Sequence, residues 1–475
     1  MTLLQSPEAE RESSGRSGAT LGAGEAVARL IAFAASLIVA RRLGPASYGV
    51  IVVASGIMLY LVQLADQGIE LVGVPVVSRL GKSVREIASA TVTFRVLVAL
   101  VLAGVVTAVG LWVLPQPDGS VLAAYAPMLV LTGVSTRWIL LGTRHTGVIA
   151  LARIAGEGAG LALIAVAVHT AVDLTMVPVA AVIGLTITTA LMLVGTYRAG
   201  VPVSFNWNWE VCRPLFERGR PLVAFTMLGL VLFNFDLLLL RYVKGDATAG
   251  EYAAAYAFVS FASNLMVAYA HGVMPSLARA ASSQEDRDRV YGTALAQVMG
   301  LVLPAAVGGM LVAGPLVHLV FGAEFDAGAV ALGWLSLSLP FAAMREVAVV
   351  AVVAGGGERA LVRVNLVTVI CNVALNVVLV PAYGLVGAAV ATLSTEIVRL
   401  ALAAREARAL AFHLPPLRRF LKPAVATFAM WGALQLTDAA PVWRAIAIGG
   451  VTYGVVLAML GGLRVHRSSL PELTL

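Results

Sequence analysis

Residues 174–197 read LTMVPVAAVIGLTITTALMLVGTY, and none of these 24 residues carries a charge at neutral pH. About 20 apolar residues in a helix cross the hydrocarbon core of a bilayer, because each residue adds about 1.5 Å. The stretch therefore predicts a membrane-spanning helix. Strands of a membrane barrel alternate apolar and polar residues, and this continuous apolar run excludes that alternative.

The rest of the chain has the same character. Of its 475 residues, 59% are hydrophobic and 12% are charged, and the mean hydropathy is +0.90. A soluble domain is nearer half apolar and a quarter charged, so much of this apolar surface must face lipid. We count about fourteen stretches long enough to span, at approximately 22–43, 48–69, 87–114, 121–143, 147–170, 174–197, 219–243, 250–278, 291–321, 327–354, 360–381, 384–410, 420–437 and 442–463.

The basic residues predict the orientation of these spans. Of the 33 lysines and arginines, 22 lie in the two tails or in loops after even-numbered spans, and five lie in loops after odd-numbered spans. Short loops rich in lysine and arginine remain on the cytoplasmic side. Both termini are therefore predicted to be cytoplasmic, and the loops near Asp118, Asp173 and Glu324 external.

Short motifs recur at an offset of 200 to 210 residues, which corresponds to six spans. Pro75–Arg79 matches Pro275–Arg279, and Leu151–Ile154 matches Leu361–Val364. Six crossings is an even number, so the two halves keep one orientation and form a parallel repeat. The predicted fold is an all-α polytopic membrane protein with about 14 transmembrane helices, arranged as two six-helix lobes plus a C-terminal helix pair.

This repeat sets the predicted organisation of the chain. The polar first residues, rich in serine, glutamate and arginine, favour a disordered tail. The segments are a disordered cytoplasmic tail at 1–21, an N-lobe at 22–197, a cytoplasmic linker at 198–218, a C-lobe at 219–410, and a final helix pair with a cytoplasmic tail at 411–475.

No enzyme signature stands out in the sequence. Gly355–Gly357 lacks the lysine and serine or threonine of a phosphate-binding loop, and the six histidines have no metal-ligand spacing. Cys212 and Cys371 belong to a predicted loop and a predicted span, which disfavours a disulfide. We therefore expect a protein that is not an enzyme, with no catalytic residues, no metal and no cofactor.

Charged residues inside the spans are the informative ones, because a charge at the bilayer centre costs roughly 2.5–3.5 kcal/mol on insertion scales. In the first half arginines exceed carboxylates, which suggests an anionic ligand, and guanidinium binds phosphate in bidentate fashion. The alternative is that Glu25 with Arg29, and Arg153 with Glu157, are self-neutralising pairs one turn apart. The predicted substrate-binding residues are Arg29, Arg95, Arg137, Arg153, Glu25 and Glu157.

Two carboxylates are candidates for coupling transport to an ion gradient. Asp236 lies in the seventh span without a basic residue one turn before it, and a buried carboxylate can exchange a proton or hold sodium. Asp66 lies near a helix end, where capping the helix is the alternative. Arg345 and Glu346 are expected to extend towards the cytoplasmic surface.

Several of these segments resemble a known family, the polysaccharide (oligosaccharidyl-lipid) flippases of the superfamily that also holds MATE multidrug exporters and lipid II flippases. The resemblance covers roughly residues 22–410. It rests on Ala40–Gly49 (ARRLGPASYG), Leu64–Gly68 (LADQG), Asp236 with Gly250–Tyr252, and Asn372–Asn376 followed by Pro381–Gly384 and Gly387–Thr392.

The resemblance implies two six-helix lobes around a central cavity and transport by alternating access. The implied substrate is an oligosaccharide on a polyprenyl pyrophosphate, moved from the inner to the outer leaflet of a bacterial cytoplasmic membrane for cell-surface polysaccharide biosynthesis. Helices 13 and 14 are similar to the pair that helps lipid II flippases form a groove for the lipid tail. Glycosyltransferases and a polymerase of the pathway are implied partners, nucleic acid is not, and coupling to a proton or sodium gradient stays open.

Two other functions remain open at this point. A cation-coupled multidrug antiporter of the same superfamily would favour lone carboxylates and aromatic residues over several arginines. A membrane enzyme acting on lipid-linked sugars would need a sizeable outer loop to hold its acceptor, and the longest predicted loop is the cytoplasmic one at 198–218.

Overall fold

The computed structural model describes residues 7–280, 283–436, 441–464 and 472–473, and most of them are helical. The chain forms two compact units, residues 1–230 and residues 231–475. The boundary falls inside a helix, later than the predicted linker at 198–218.

In its described residues, the first unit contains nine α-helices, counting the first part of α9. They are α1 (Pro7–Asp66), α2 (Ile69–Leu80), α3 (Arg85–Trp112), α4 (Asp118–Tyr125), α5 (Pro127–Val134), α6 (Arg137–Gly142), α7 (Thr146–Ala167), α8 (Met176–Arg198) and α9 (Trp209–Lys244), with short 3-10 turns at Gly81–Val84 and Ala171–Asp173.

The second unit begins within α9. Its further helices are α10 (Asp246–Arg279), α11 (Gln284–Leu311), α12 (Ala313–Phe321), α13 (Gly328–Ala354), α14 (Glu358–Ala409), α15 (Arg418–Gln435) and α16 (Val442–Met459), with a 3-10 turn at Ala323–Phe325. A two-residue strand pair, β1 (Leu463–Arg464) and β2 (Glu472–Leu473), follows them.

Helix α1 begins at Pro7, so residues 7–21 are helical where the sequence predicted a disordered tail. Proline suits the first turn of a helix, where its missing N–H would have no partner. The glutamate, arginine and alanine residues that follow are good helix formers, so this segment is helical although it is polar. Residues 1–6 of the predicted tail lie outside the described residues.

Two long helices are hairpins of two spans each. Helix α1 breaks at Gly44, whose φ of 75° suits glycine, and the Ser36 hydroxyl then lies 2.7 Å from the Tyr48 hydroxyl. In a straight helix these residues would be about 18 Å apart. Helix α14 breaks at Gly384 (φ 55°) in the same way, and Asn372 contacts Thr395 at 3.2 Å. Both breaks fall at predicted boundaries between spans.

The spans observed agree with the number predicted. Ten helical stretches are long and apolar enough to cross a membrane, or 11 with the bent α9. Each of the two hairpins contributes a second crossing. Helix α15 corresponds to the thirteenth predicted span, although Arg418, Arg419 and Lys422 at its start make it too polar for that criterion. The fourteen predicted spans therefore all correspond to helical segments.

The fourth span is broken into the short helices α4, α5 and α6. Ser135 and Thr136, between α5 and α6, leave the helical conformation, with ψ angles of 128° and 18°. Non-helical backbone at membrane depth persists only where protein groups or a cavity satisfy its polar atoms. This break is therefore a place to look for function.

The predicted linker is extended over 201–208 and lies along α3. The Ser204 N–H donates to the Ser89 hydroxyl at 3.2 Å, and the Asn206 N–H donates to the Thr93 hydroxyl at 3.0 Å. Both hydroxyls are buried. Helix α9 then starts at Trp209, so only the first part of the predicted linker lacks helical structure.

In the second unit, α13 lies at the centre and packs against α10, α11 and α14. The C-terminal pair, α15 and α16, packs against α11, where Met430, Leu434 and Ala445 form an apolar cluster with Val307 and Leu311. The predicted peripheral pair is thus part of this unit's core rather than a detached hairpin.

Exposed aromatic side chains mark the ends of the spans. Trp and Tyr prefer the two membrane–water interfaces. At the ends predicted to be external, Trp112, Tyr242, Tyr383 and Trp443 are exposed, and at the cytoplasmic ends Tyr197, Phe205 and Trp207 are exposed.

Arg42 is one of the few cations at the predicted external side, and the structure gives it another role. Its guanidinium donates to the carbonyl oxygens of Ala165 and Val168 at 2.8 and 2.6 Å, at the end of α7. A cation suits the negative end of a helix dipole. Arg42 therefore caps α7, which explains a basic residue on this side.

The predicted orientation can be tested by cysteine labelling in intact cells. In a variant without Cys212 and Cys371, both free thiols in the structure, Val172→Cys should react with an impermeant thiol reagent because Val172 is highly exposed at the predicted external side. Asp173 is a poorer site, since the N–H groups of His169 and Thr170 bond its carboxylate and lower its pKa. Phe205→Cys should label only after lysis, and the reverse pattern would invert the topology.

Candidate functional site

The first unit holds a chain of five charged side chains, which we call the N-lobe charge network: Glu70, Arg137, Glu25, Arg153 and Glu157. Arg137 binds Glu70 through Nη1 and Glu25 through Nη2, the latter at 3.1 Å. Arg153 lies 3.8 Å from Glu25 and 3.2 Å from Glu157. The four predicted residues Glu25, Arg137, Arg153 and Glu157 are thus brought together.

Four helices supply this network. Glu25 is on α1, Glu70 on α2, Arg137 is the first residue of α6, and Arg153 with Glu157 is on α7. Helices α1 and α7 come very close here, because a Cβ added to Gly24 would lie 2.3 Å from the Cβ of Ala150. Small residues allow such close packing in membranes.

Glu25 lies at the centre of the network. Its two carboxylate oxygens face different arginines, Oε1 towards Arg137 and Oε2 towards Arg153. One carboxylate therefore bridges two guanidinium groups. All five side chains are between 24% and 36% exposed, so an incoming solute can reach them.

The sequence did not single out Glu70. It follows Asp66 by four residues, across the turn at Gln67 and Gly68 that separates α1 from α2. The sequence does contain a signal for Glu70. It is a pair of carboxylates four residues apart, on either side of a glycine turn within an apolar region. The partner of Glu70, Arg137, is 67 residues away, so no sequence spacing connects the two.

The network changes the predicted balance of charge. It contains three carboxylates and two guanidinium groups, so it is not an excess of arginine. Arg29 is exposed one turn after Glu25 and, among the described residues, lies within ion-pair distance of no carboxylate. Counting Arg29, the charges cancel.

Arg95 and Asp66 form a separate, buried pair. The Arg95 guanidinium is 1% exposed and donates to Asp66 at 2.7 Å and to the carbonyl oxygens of Thr132 and Ser135 at 2.9 and 3.0 Å. The Ser135 carbonyl lies at the break between α5 and α6, and the Thr132 carbonyl also accepts from the Ser135 N–H at 3.1 Å. Asp66 also accepts from the Glu70 N–H at 3.4 Å. These contacts suit a structural role for the pair, and the roles in substrate binding for Arg95 and in ion coupling for Asp66 stay predictions.

Asp236 lies on α9 within the second unit and is 3% exposed. Its carboxylate accepts hydrogen bonds from the Tyr252 hydroxyl at 2.5 Å, the Leu237 N–H at 2.8 Å and the Thr392 hydroxyl at 3.4 Å. No cation of the described residues pairs with it. A buried carboxylate held by hydroxyl groups suits the exchange of a small cation.

The second unit also holds a cluster of charged side chains around Arg345, and the burial of Arg345 differs from the prediction. Arg345 and Glu346 were expected to extend towards the cytoplasmic surface, yet the Arg345 side chain is 6% exposed. It pairs with Glu346 and, at 2.7 Å, with Glu396, which also lies 3.6 Å from Arg399. A buried guanidinium requires such partners, and α13 supplies Glu346 while the second half of α14 supplies Glu396.

Solved structures share this fold. The chain matches "Lipid II flippase MurJ, inward closed conformation" with a TM-score of 0.75 over 93% of this chain and 98% of the other, at 14% identity. It matches an inward-facing multidrug resistance MATE family transporter of the MOP superfamily with a TM-score of 0.67, over 81% and 95% of the chains, at 15% identity. At these identities the likeness shows the fold, which is that of MOP superfamily transporters.

The sequence comparisons identify the family. A family profile described as "Polysaccharide biosynthesis protein" matches residues 38–329. Because this is more than half of the chain, the protein belongs to the polysaccharide biosynthesis protein family, and the resemblance noted in the sequence is confirmed.

One relative is the "Probable low-salt glycan biosynthesis flippase Agl15" of Haloferax volcanii, 24% identical over 220 residues. That match covers 42% of this chain and 45% of the relative, so it spans less than half the length of that protein.

A structural role of Arg95 can be tested by measuring the free energy of unfolding. Arg95→Met should lower the free energy of unfolding by about 3–5 kcal/mol, because it removes the cationic partner of a half-buried carboxylate and a donor to two carbonyl oxygens. Thermal unfolding of the purified protein in detergent measures this. Arg289→Met, which removes an exposed pair with Asp286, is the control and should change little. Unchanged unfolding with lost transport would instead assign Arg95 to the ligand.

Proposed function

We propose that this protein is a flippase that moves a polyprenyl-pyrophosphate-linked oligosaccharide from the inner to the outer leaflet by alternating access. It would act in the bacterial cytoplasmic membrane, with both termini cytoplasmic, in cell-surface polysaccharide biosynthesis. The observation that carries the proposal is the N-lobe charge network, built on membrane-spanning helices of a chain from the polysaccharide biosynthesis family. The protein is then a transporter and not an enzyme.

The physical need for such a network follows from the substrate. Moving an ion of carboxylate size from water into a medium of low dielectric costs on the order of 20 kcal/mol. A pyrophosphate carries at least one charge on each phosphate, so it must keep counter-charges along its route. Arginine supplies them in a form that binds phosphate oxygens in pairs.

The bridging position of Glu25 supports pyrophosphate in particular. Glu25 presents one oxygen to Arg137 and the other to Arg153. A pyrophosphate that displaces this carboxylate has two phosphate groups to present to the same two guanidiniums. Glu70 and Glu157 remain beside the arginines and hold their orientation.

The lipid tail can remain in hydrocarbon during transport. A largely apolar groove of about 590 Å³ lies between α12 and α16, lined among others by Pro315, Leu319, Val442 and Trp443. Helix α16 belongs to the C-terminal pair whose resemblance suggested a tail groove. This groove is the surface that we assign to the polyprenyl chain.

A multidrug antiporter of the same superfamily is the second candidate. Asp236, a buried carboxylate without a cation partner among the described residues, is the observation in its favour. A membrane enzyme acting on lipid-linked sugars is a third, and we find no catalytic constellation in its favour among the described residues. In the proposed flippase, Asp236 couples transport to a proton or sodium gradient. Glycosyltransferases and a polymerase of the same pathway would supply and consume the glycan.

The arginine model predicts the export phenotype of two variants. In a deletion strain complemented with Arg153→Ala or Arg29→Ala, export of the glycan should fall about 10- to 100-fold, because a hydrogen bond to a charged group contributes about 1.5–3 kcal/mol. Arg153→Lys should restore only part of the activity, since it keeps the charge without the bidentate geometry. Lipid-linked sugars retained in the inner leaflet are the measurement.

Arg213→Ala is the matched control for Arg153→Ala. Arg213 also pairs with a glutamate four residues later, Glu217, but the pair is exposed. Membrane insertion should be equal in all variants. Normal export by the Arg29→Ala, Arg153→Ala double variant would show that these residues only pair with neighbouring carboxylates.

The coupling hypothesis predicts the behaviour of Asp236→Asn. This change keeps the size of the side chain and removes its charge, so transport should lose its dependence on the proton or sodium gradient. Flux into vesicles at imposed pH and sodium gradients measures it. Asp246→Asn, which alters a carboxylate paired with Arg241, is the control. Wild-type gradient dependence in Asp236→Asn would remove this residue from coupling.

A further inference from the structure

A cavity of about 240 Å³ lies inside the second unit, between α10, α13 and the second half of α14. It has room for about eight water molecules. The residues of α10 that line it include Tyr256, Ser260, Ser263 and Asn264, spaced so that they share one helix face. The cavity is thus lined by a polar stripe in a helix that otherwise packs within a membrane protein.

Two hydroxyls of this stripe, those of Ser260 and Ser263, differ from the hydroxyls that bond their own helix. Elsewhere, hydroxyls such as those of Thr91, Thr132 and Thr368 donate to the carbonyl oxygen four residues earlier. Such back-bonding satisfies a hydroxyl without any ligand. The Ser260 and Ser263 hydroxyls have no hydrogen-bond partner among the described residues, and both line the cavity. They are available to a solute.

The charged groups at the cavity wall neutralise one another. Arg345 pairs with Glu346 and Glu396, and Glu396 also faces Arg399. With Arg399, which is not part of the lining, two cations and two anions leave no net charge. Both lining glutamates are paired with arginine, which disfavours a cationic drug, and Arg345 is far less exposed than the arginines of the N-lobe charge network, which disfavours a pyrophosphate. Paired groups still offer donors and acceptors to a neutral solute.

The remaining lining has the chemistry that binds sugars. Serine hydroxyls and the Asn264 amide both donate and accept hydrogen bonds, as sugar hydroxyls do. Tyr256 adds an aromatic face for the C–H side of a sugar ring. The volume suits one sugar residue and not a longer chain. Asn264 is exposed, so the cavity is open to solute on that side.

We propose that this cavity is a sugar-binding subsite that takes one neutral residue of the transported glycan, separate from the N-lobe charge network. The proposal rests on the proposed flippase function and names the part of the substrate that the second unit binds. It assigns the pyrophosphate and the sugar to different groups of residues, so the two contributions can be measured independently.

The test uses two soluble probes on the full-length protein in lipid nanodiscs. The first is the free glycan released by mild acid from the host's lipid-linked glycan, followed by saturation-transfer difference NMR. The second is inorganic pyrophosphate, followed by calorimetry. A single sugar residue in one subsite should bind with a dissociation constant on the order of millimolar. The variants are Ser260→Leu, Ser263→Leu and Arg153→Ala.

We expect the serine variants and the arginine variant to have opposite effects on the binding of the two probes. Both serine variants should weaken binding of the free glycan about tenfold, because each removes a hydroxyl and fills the cavity, and should leave pyrophosphate binding unchanged. Arg153→Ala should do the reverse. Thr186→Leu is the control, since it makes a similar change at an exposed hydroxyl that bonds its own helix. Equal unfolding temperatures confirm that the variants fold.

The failures of the two proposals are distinguishable. Absence of glycan binding to the wild-type protein, or undiminished glycan binding in both serine variants, overturns the sugar subsite. Binding of a cationic dye such as ethidium that is lost in the serine variants, without glycan binding, overturns it in favour of a drug site. Pyrophosphate binding that does not depend on Arg153 contradicts the flippase proposal, while the glycan result still decides the subsite.

Discussion

The break between α5 and α6 depends on one buried guanidinium. A span that leaves the helical conformation exposes carbonyl oxygens that lipid cannot satisfy, and Arg95 donates to the Ser135 carbonyl at the break and to the Thr132 carbonyl just before it. Asp66 neutralises Arg95 and also accepts the N–H of Glu70 near the start of α2. The same ion pair therefore positions both ends of the bond between Glu70 and Arg137, since Arg137 is the first residue after the break. The N-lobe charge network is built outward from this pair.

Much of the fold could be predicted from the sequence because lipid imposes simple demands. Long uncharged stretches must be helices, and the turns at Gly44 and Gly384 fall where predicted spans meet. The motifs around Asn372 and Asn376 indicated the family, and both side chains are buried in the structure. The helical start at Pro7 was missed because a polar composition indicates solvent exposure, and an exposed helix satisfies that equally well.

The site could be predicted only in part, because a charge inside a membrane is defined by its partner. Sequence spacing shows partners one helical turn away, which is why Arg153 with Glu157 was found. It cannot show that Arg95 binds Asp66, or that Arg345 binds Glu396 across helices. For the same reason the arginines looked like a surplus of positive charge until Glu70 was located beside Arg137.

In the transport cycle that we propose, the position of Glu25 between two arginines has a consequence. A carrier must return empty after each delivery, and bare guanidinium groups would make that step as costly as moving the cargo unescorted. With Glu25 seated between Arg137 and Arg153, the unloaded protein carries its own counter-ion. The unloaded protein then returns without an uncompensated cation. It does not need to bind a small anion from either compartment to complete the cycle.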